Sequence, residues 1–514
     1  MSVDSIARPG EASLSSADAL KHPIESSDRK HTPWWLWGTL LFAGALCVAQ
    51  SLYFEWKLDD AYIAFVYAQN WVHGHGLVFN IGERVEGYTC FLWVALSALG
   101  IQLSGDVISW ATALGILSGL GTIIATWRLC GSLLAERGSA AAILAAVLVA
   151  AYPPLAWWAG SGMETALFTF LITLALWRHV RHEAHSIAGP VSLAFASMTR
   201  PEGWLLSALL CLDAARRGPW RKAARYACIF LTIFGPYYAW RCLYYGYPFP
   251  NTFYAKVGAT PAQVGRGLVY LRDFLLTGGG VWLLIGSVSA LSLRIRRQAS
   301  VIFLFLGTYF TYVVLVGGDA FPFYRFLVPI VPALAALSVA AILLVAQWSP
   351  KPRIVGPAAC VVYLVGFLVA CVPVFRLQQR QSQTQRMSQR WKEATCARIK
   401  ALTDPCDIIA TGGIGFIKFC SGRRVIDILG LADKHIAHQY IRDMGHGLAG
   451  HEKYDSEYVL ARWPKYIILP PEGAPIRPAA AADLWKQPVL MRYYVPDAFG
   501  YRRIDTASSG AEPQ

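Results

Sequence analysis

The sequence predicts an α-helical polytopic membrane protein, a bundle of about 11 transmembrane helices, followed by a C-terminal external α/β domain. Three observations carry this. Over 514 residues, 55% are hydrophobic and only 15% are charged, against roughly 25% charged in an ordinary soluble domain. Apolar runs recur from residue 34 to residue 375 and leave no room between them for a soluble core. Beyond residue 375 the chain turns polar, and short β-type runs appear between Gly, Pro and Asp. The net charge of +14 would suit nucleic acid, but many of the Lys and Arg sit in short clusters between apolar runs, as topology determinants do. No nucleic-acid partner is expected, and membrane lipids are. The 11 Cys include no CxxC pair and no Cys/His grouping at zinc spacing, which excludes a disulfide scaffold and a zinc module.

Residues 1–33 are polar, lack the small-residue cleavage site of a signal peptide, and read as a disordered cytoplasmic tail. Apolar segments follow at 34–54, 107–127, 139–158, 165–177, 186–199, 203–215, 225–244, 279–293, 301–316, 326–348 and 354–375. Several fall short of the roughly 20 residues that span hydrocarbon, so they borrow flanking residues or sit inside the bundle. A twelfth stretch, Phe91 to Leu103, decides the parity. If it crossed, Arg178/Arg181, Arg216/Arg217/Arg221/Lys222 and Arg294/Arg296/Arg297 would all face outward, against the positive-inside tendency. It therefore reads as re-entrant or interfacial, with the N-terminus cytoplasmic and the tail 376–514 external. In that tail, 391–402 has helical periodicity and 407–410, 424–428 and 466–469 are β-type runs. Cys396, Cys406 and Cys420 would then meet an oxidising compartment, where one disulfide among them or three free thiols are both open.

Ionisable residues gather in the loops that this topology places outside, rather than at mid-span as in a transporter. The first loop, 55–90, is the densest and contains Asp59, Asp60, His75, Arg84, Glu86 and Tyr88. Two adjacent carboxylates directly after a span are costly unless solvated, paired or catalytic. One suits a general base on an acceptor hydroxyl; the pair together suits a divalent cation, the one cofactor the pattern leaves open. A solvated loop cap is the plainer reading. Glu164, Arg200 with Glu202, Asn251 with Tyr254 and Lys256, and Asp319 with Arg325 stand in four further loops. Arg and Lys there suit a lipid phosphate, and aromatic faces suit a sugar ring. Arg200/Glu202 and Asp319/Arg325 read equally well as structural ion pairs at helix ends. His179, His182 and His185 have a spacing that a metal tolerates, but they lie among cytoplasmic positive charges and read as a solvated loop.

Leu58-Asp59-Asp60-Ala61-Tyr62-Ile63, Gly74-His75-Gly76-Leu77-Val78-Phe79-Asn80 and Gly82-Glu83-Arg84-Val85-Glu86-Gly87-Tyr88-Thr89 resemble the first external loop of the GT-C membrane glycosyltransferases. The closest branch is that of the terminal β-(1→2)-arabinofuranosyltransferases and the pilin arabinosyltransferases. The similarity continues through 199–203, 250–256, 317–329 and the run Val425-Ile426-Asp427-Ile428-Leu429-Gly430-Leu431-Ala432-Asp433. Cys90 departs from the pattern, because related sequences usually carry a polar residue after Tyr-Thr. The resemblance implies a bacterial inner-membrane enzyme with a polyprenyl-phosphate sugar donor and an acidic first-loop residue as the catalytic carboxylate. That residue carries over onto Asp59, with Asp60 as its orienting or metal-contacting neighbour. The sugar would be a pentofuranose such as arabinofuranose, and the acceptor a glycan, a lipid-linked glycan or a pilin-type protein.

Arg325 is expected at the donor phosphate, since it follows the turn at Gly317-Gly318-Asp319 and begins a span at headgroup depth. Arg200 and Lys256 come next. The tail is expected to roof the site, with Asp427 and Asp433 near the acceptor path. A carrier or flippase for a polyprenyl-linked sugar is the alternative from another class, and a GT-C transferase for a different sugar is the alternative among enzymes.

Overall fold

The computed structural model describes residues 33–54, 56–134, 141–181, 186–288, 296–442, 444–469 and 479–504. The expected cytoplasmic tail, His182 and His185 lie outside these residues. The bundle begins with α1 (Trp34–Tyr53), α2 (Asp59–Val72), α3 (Phe91–Ser104) and α4 (Val107–Leu133). α5 (Ile143–Ala150) and α6 (Pro153–Gly160) form one segment bent by 60°. The bend falls at Pro153-Pro154, where two backbone N–H groups are missing and Tyr152 is driven to extended backbone. Next come α7 (Thr165–Val180), α8 (Ala188–Thr199), α9 (Gly203–Arg217) and α10 (Trp220–Tyr245). The short α11 (Asn251–Lys256) precedes α12 (Pro261–Thr277), which meets α13 (Gly280–Val288) at 86°. α14 (Arg296–Leu315), α15 (Val331–Ala346) and α16 (Pro352–Leu402) complete the bundle.

Within the described residues, which leave out 139–140 and 289–293, each of the eleven apolar segments falls largely on a helix or a bent helix pair. Among the described residues, five helices are long and apolar enough to cross a membrane, or up to seven if each bent pair is one span. α3 has 14 residues, about 21 Å of helix, against a hydrocarbon core of about 30 Å. It ends at Gly105, whose φ of 72° is the left-handed conformation glycine tolerates, and Asp106 restarts the chain as α4 by accepting from the backbone N–H of Ile108 and Ser109. The twelfth stretch is therefore a short helix folded back against α2 and α4. α15, rich in Ala, Val and Leu, is buried along nearly its whole length between α4, α5, α13 and α16, as small side chains at a helix interface allow.

α16 runs 51 residues and carries the chain unbroken from the bundle into the tail. The tail then forms β1 (Ile408–Thr411), α17 (Ile414–Ser421), β2 (Arg424–Asp427), α18 (Lys434–Ala437), α19 (Ser456–Ala461), β3 (Tyr466–Ile468), α20 (Ala479–Leu484), α21 (Pro488–Tyr493), β4 (Tyr494–Asp497) and β5 (Gly500–Arg503). The sheet order is β2-β1-β3-β5-β4, with β1 parallel to β2 and β3, and β5 antiparallel to β3 and β4. Three strands fall where β-type runs stand in the sequence; the β4–β5 hairpin was not foreseen. The tail docks on the bundle through α17, whose Phe416 and Phe419 rings lie 5.1 and 5.2 Å from Tyr62 of α2. Such aromatic pairs contribute about 0.5–1.5 kcal/mol each beyond the area they bury. A disulfide joins Cys396 of α16 to Cys420 of α17, and Cys406 is a free, exposed thiol.

Candidate active site

α2 opens with Asp59 and Asp60, acidic groups that a helix N-terminus favours. Successive helical residues point about 100° apart, and here the two carboxylates serve different neighbours. Asp59 accepts from the backbone N–H groups of Gly415 (2.8 Å) and Phe416 (3.1 Å), with Lys392 Nζ at 3.6 Å. It supplies the cap that α17 lacks, because the residue before α17 is Gly413 and has no side chain. Gly415 makes the approach feasible: a Cβ there would lie 2.0 Å from the Asp59 carbonyl oxygen. Asp60 faces the other way and lines a cavity of about 350 Å³.

The loops around α6–α7, α8–α9, α10–α11 and α14–α15 converge on this cavity at one end of the bundle, and Leu431, Ala449, Gly450 and His451 of the tail close it. Its charges fall into two kinds. Arg200 is paired with Glu202 (2.5 Å) and Glu164 (2.9 Å), and Arg325 holds Asp319 bidentately at 2.7 and 3.0 Å. Both guanidiniums face the ring of Phe326, at 4.8 and 5.3 Å from its centroid. Both guanidiniums are thus matched by buried carboxylates, Arg325 by one and Arg200 by two. Asp60 and Lys256 are different: among the described residues neither side chain makes a hydrogen bond or ion pair. Burial pulls the Lys256 ammonium below the ordinary lysine pKa, with Asp60 opposing that shift. Trp204, Phe249 and Phe253 give the cavity a partly exposed apolar rim.

The loop before Arg325 is held under strain. Phe323 and Tyr324 have φ of 63° and 56°, a left-handed conformation that costs a bulky residue on the order of 1–3 kcal/mol. Trp158 Nε1 donates to the Phe323 carbonyl (3.1 Å), and the Phe323 ring packs on Trp157 at 4.7 Å. Packing on α6 thus fixes where Arg325 and Asp319 stand.

Of the residues singled out in the sequence, the cavity gathers Asp60, Tyr88, Glu164, Arg200, Glu202, Lys256, Asp319 and Arg325. The others stand elsewhere. Asp59, expected to be the reacting carboxylate, is occupied by α17, and since it turns away from Asp60 the two do not fit a divalent ion held jointly. Among the described residues no group of three or more His, Cys, Asp or Glu is placed to hold a metal. His75 is exposed in the turn after α2. Glu86 is buried and holds Arg241 bidentately at 3.0 and 2.6 Å. Asn251 Nδ2 donates to the carbonyls of Gly430, Leu431 and Asp433 and so pins the tail to α11. Tyr254 stacks on His438 at 4.5 Å. Asp427, expected near an acceptor, is fully buried and accepts from the N–H groups of Leu429 and Ala432; burial pushes its carboxyl up to about 7. Arg84 and Asp433 line an open groove beside the cavity. His179, read as part of a solvated loop, lies instead in the last turn of α7, where it bonds Asp213 at 2.7 Å. His451 and Lys392 had no sequence signal, because their positions depend on how the tail folds back.

A family model described as a domain of unknown function (DUF8728) matches residues 376–507. The chain is 30% identical over 241 residues to the terminal beta-(1->2)-arabinofuranosyltransferase of Mycobacterium tuberculosis, covering 43% of this chain and 38% of that protein. It is 28% identical over 342 residues to the protein of the same name from Corynebacterium glutamicum, covering 55% of this chain and 48% of that one. The matches thus span less than half the length of these relatives. Among solved structures, ArnT from Cupriavidus metallidurans bound to undecaprenyl phosphate superposes with a TM-score of 0.53 at 16% identity over 78% of this chain and 86% of that one. The Archaeoglobus fulgidus oligosaccharyltransferase in its apo form gives 0.54 at 12% identity over 77% and 65%. The resemblance to GT-C glycosyltransferases therefore holds in sequence relatives and in fold, and the chain is a membrane protein with that fold.

Proposed function

We propose that the chain is a bacterial inner-membrane glycosyltransferase that moves a pentofuranose, such as arabinofuranose, from a polyprenyl-phosphate donor to a hydroxyl at the external membrane face. The observation that carries this is the cavity holding one uncommitted carboxylate, Asp60, and one uncommitted cation, Lys256, between two arginines already matched by buried carboxylates. Lys256 binds the phosphate of the donor, whose isoprenoid chain leaves along the apolar rim. Asp60 accepts the proton of the acceptor hydroxyl as its oxygen bonds to the anomeric carbon. The bond from that carbon to phosphate oxygen breaks, and polyprenyl phosphate departs with the electron pair, its charge met by Lys256. The tail segment 449–451 covers the site and limits hydrolysis.

This reading moves the base from Asp59 to Asp60 and the phosphate contact from Arg325 to Lys256. The choice of sugar is supported by the names of the two sequence relatives. The external orientation is supported by the charge pattern between spans and by the disulfide in the tail. Purified protein in nanodiscs, given a panel of polyprenyl-phosphate sugars and an acceptor glycan mixture, should consume a pentofuranosyl donor. No consumption of any donor would overturn the enzyme reading, and consumption of a hexosyl donor alone would overturn the sugar.

A further inference from the structure

Beside the cavity, the first loop and the tail enclose an open groove of about 900 Å³. Four basic side chains, Arg84, Arg424, Lys434 and Arg462, face it against two acidic ones, Glu83 and Asp433. Arg424 is paired with Glu83. Asp433 is engaged by the Ile436 N–H and the Tyr458 hydroxyl. The other three bases rest on aromatic rings: Arg84 on Tyr244 at 4.8 Å, Lys434 on Tyr247 at 4.7 Å and Arg462 on Tyr458 at 3.4 Å. Among the described residues none of the three makes an ion pair. A cation on a ring is held in place while its positive charge stays uncompensated, which leaves it able to take an oxyanion.

Of the aliphatic residues that line it, Val425, Ile426 and Ala432 are buried and Val85 and Ile408 half-buried, so none offers a fully exposed surface for an acyl chain. The groove adjoins the cavity: Arg84, Tyr247 and Lys434 line both the groove and a constriction of about 10 Å³, and Phe249 lines both that constriction and the cavity.

We infer that the groove binds the acceptor, and that the acceptor is an anionic glycan, a saccharide chain bearing carboxylate or phosphate groups held beside the cavity. This rests on the reading of the cavity as the transfer site, but binding to the groove is measurable without transfer.

The test uses the full chain in nanodiscs of uncharged lipid and four fluorescent probes: oligogalacturonate, a phosphorylated mannan oligosaccharide, a neutral maltooligosaccharide and polyglutamate. At least one of the two anionic saccharides should bind about tenfold or more tightly than both the neutral sugar and polyglutamate. Whichever binds better names the oxyanion. The exposed double variant Lys434→Gln/Arg462→Gln should lose about tenfold of that binding, while Asp60→Asn should keep it. Equal binding of the neutral sugar overturns the anionic acceptor, and equal binding of polyglutamate overturns the saccharide. Binding untouched by the double variant overturns the groove. Donor consumption measured in parallel separates the two readings: it depends on Asp60 and Lys256 whatever the groove binds.

Discussion

Asp59 and Asp60 are neighbours in sequence and belong to different parts of the molecule. On the tail side of α2, Asp59 has two backbone N–H donors and a nearby lysine, so its carboxylate is engaged in holding α17. On the cavity side, Asp60 has no partner among the described residues and faces an equally uncommitted Lys256. The same contrast separates Lys256 from Arg200 and Arg325. A buried charge already matched by the protein stabilises an arrangement, whereas one left unmatched awaits a ligand.

The sharpest way to break this comparison is at Asp60. Asn is nearly isosteric but takes no proton, so Asp60→Asn should lower turnover by about 10² to 10⁴ with expression and donor binding retained. Near-normal turnover in that variant, together with a dead Asp59→Asn, would return the base to Asp59. Lys256→Ala should cost about 10² to 10³ in turnover, and Lys256→Arg should recover part of it, since the charge returns with altered geometry. A weakened apparent affinity for polyprenyl phosphate, measured by titration, is the accompanying sign.

Arg325 should behave as a structural group. Arg325→Ala leaves Asp319 buried and unpaired and should cost about 3–5 kcal/mol of stability, read as a lowered melting temperature. The double variant Arg325→Leu/Asp319→Leu should regain most of that stability. A double variant that is stable yet has lost donor affinity would restore Arg325 to the phosphate. Asp427 gives a pH test of the tail. Its carboxyl titrates near 7 in the fold and near 4 in an unfolded chain, so its contribution is fully present below about pH 4 and is lost as pH rises through about 7. The loss is at most about 4 kcal/mol, and Asp427→Asn should flatten the slope of stability against pH over that window. The smallest effect is expected at Asp59→Asn: about 1–2 kcal/mol of α17 docking, seen as faster hydrogen exchange at Gly415 and Phe416, with turnover reduced less than in Asp60→Asn.

The helices were legible because a membrane span needs a long apolar run, and this need is written locally; within the described residues the apolar segments from 34–54 to 354–375 fall largely on helices or bent pairs, five to seven of them long and apolar enough to cross. α12 was missed because its amphipathic face carries Gln, Arg and Asp and reads as a loop when only apolar runs are sought. The join that makes α16 a single helix was missed for a similar reason: its polar stretch between 376 and 390 has no apolar signal, and the helix there continues one already begun. The short hairpin β4–β5 escaped because Pro496 and exposed side chains weaken its pattern, while pairing with β3 stabilises it.

Residue types and spacing by themselves determined that acidic and basic groups would collect in the loops on one side, and that Asp59 and Asp60 would diverge by about 100° if helical. They also named both possibilities for Arg200/Glu202 and Asp319/Arg325, a phosphate site or an ion pair. Which carboxylate met the cavity, and which cation stayed uncommitted, only the tertiary structure decided. The reason is physical: a charge is spent or spare according to its neighbours in space, and those of Asp59 come from Gly415 and Phe416, more than 350 residues away along the chain.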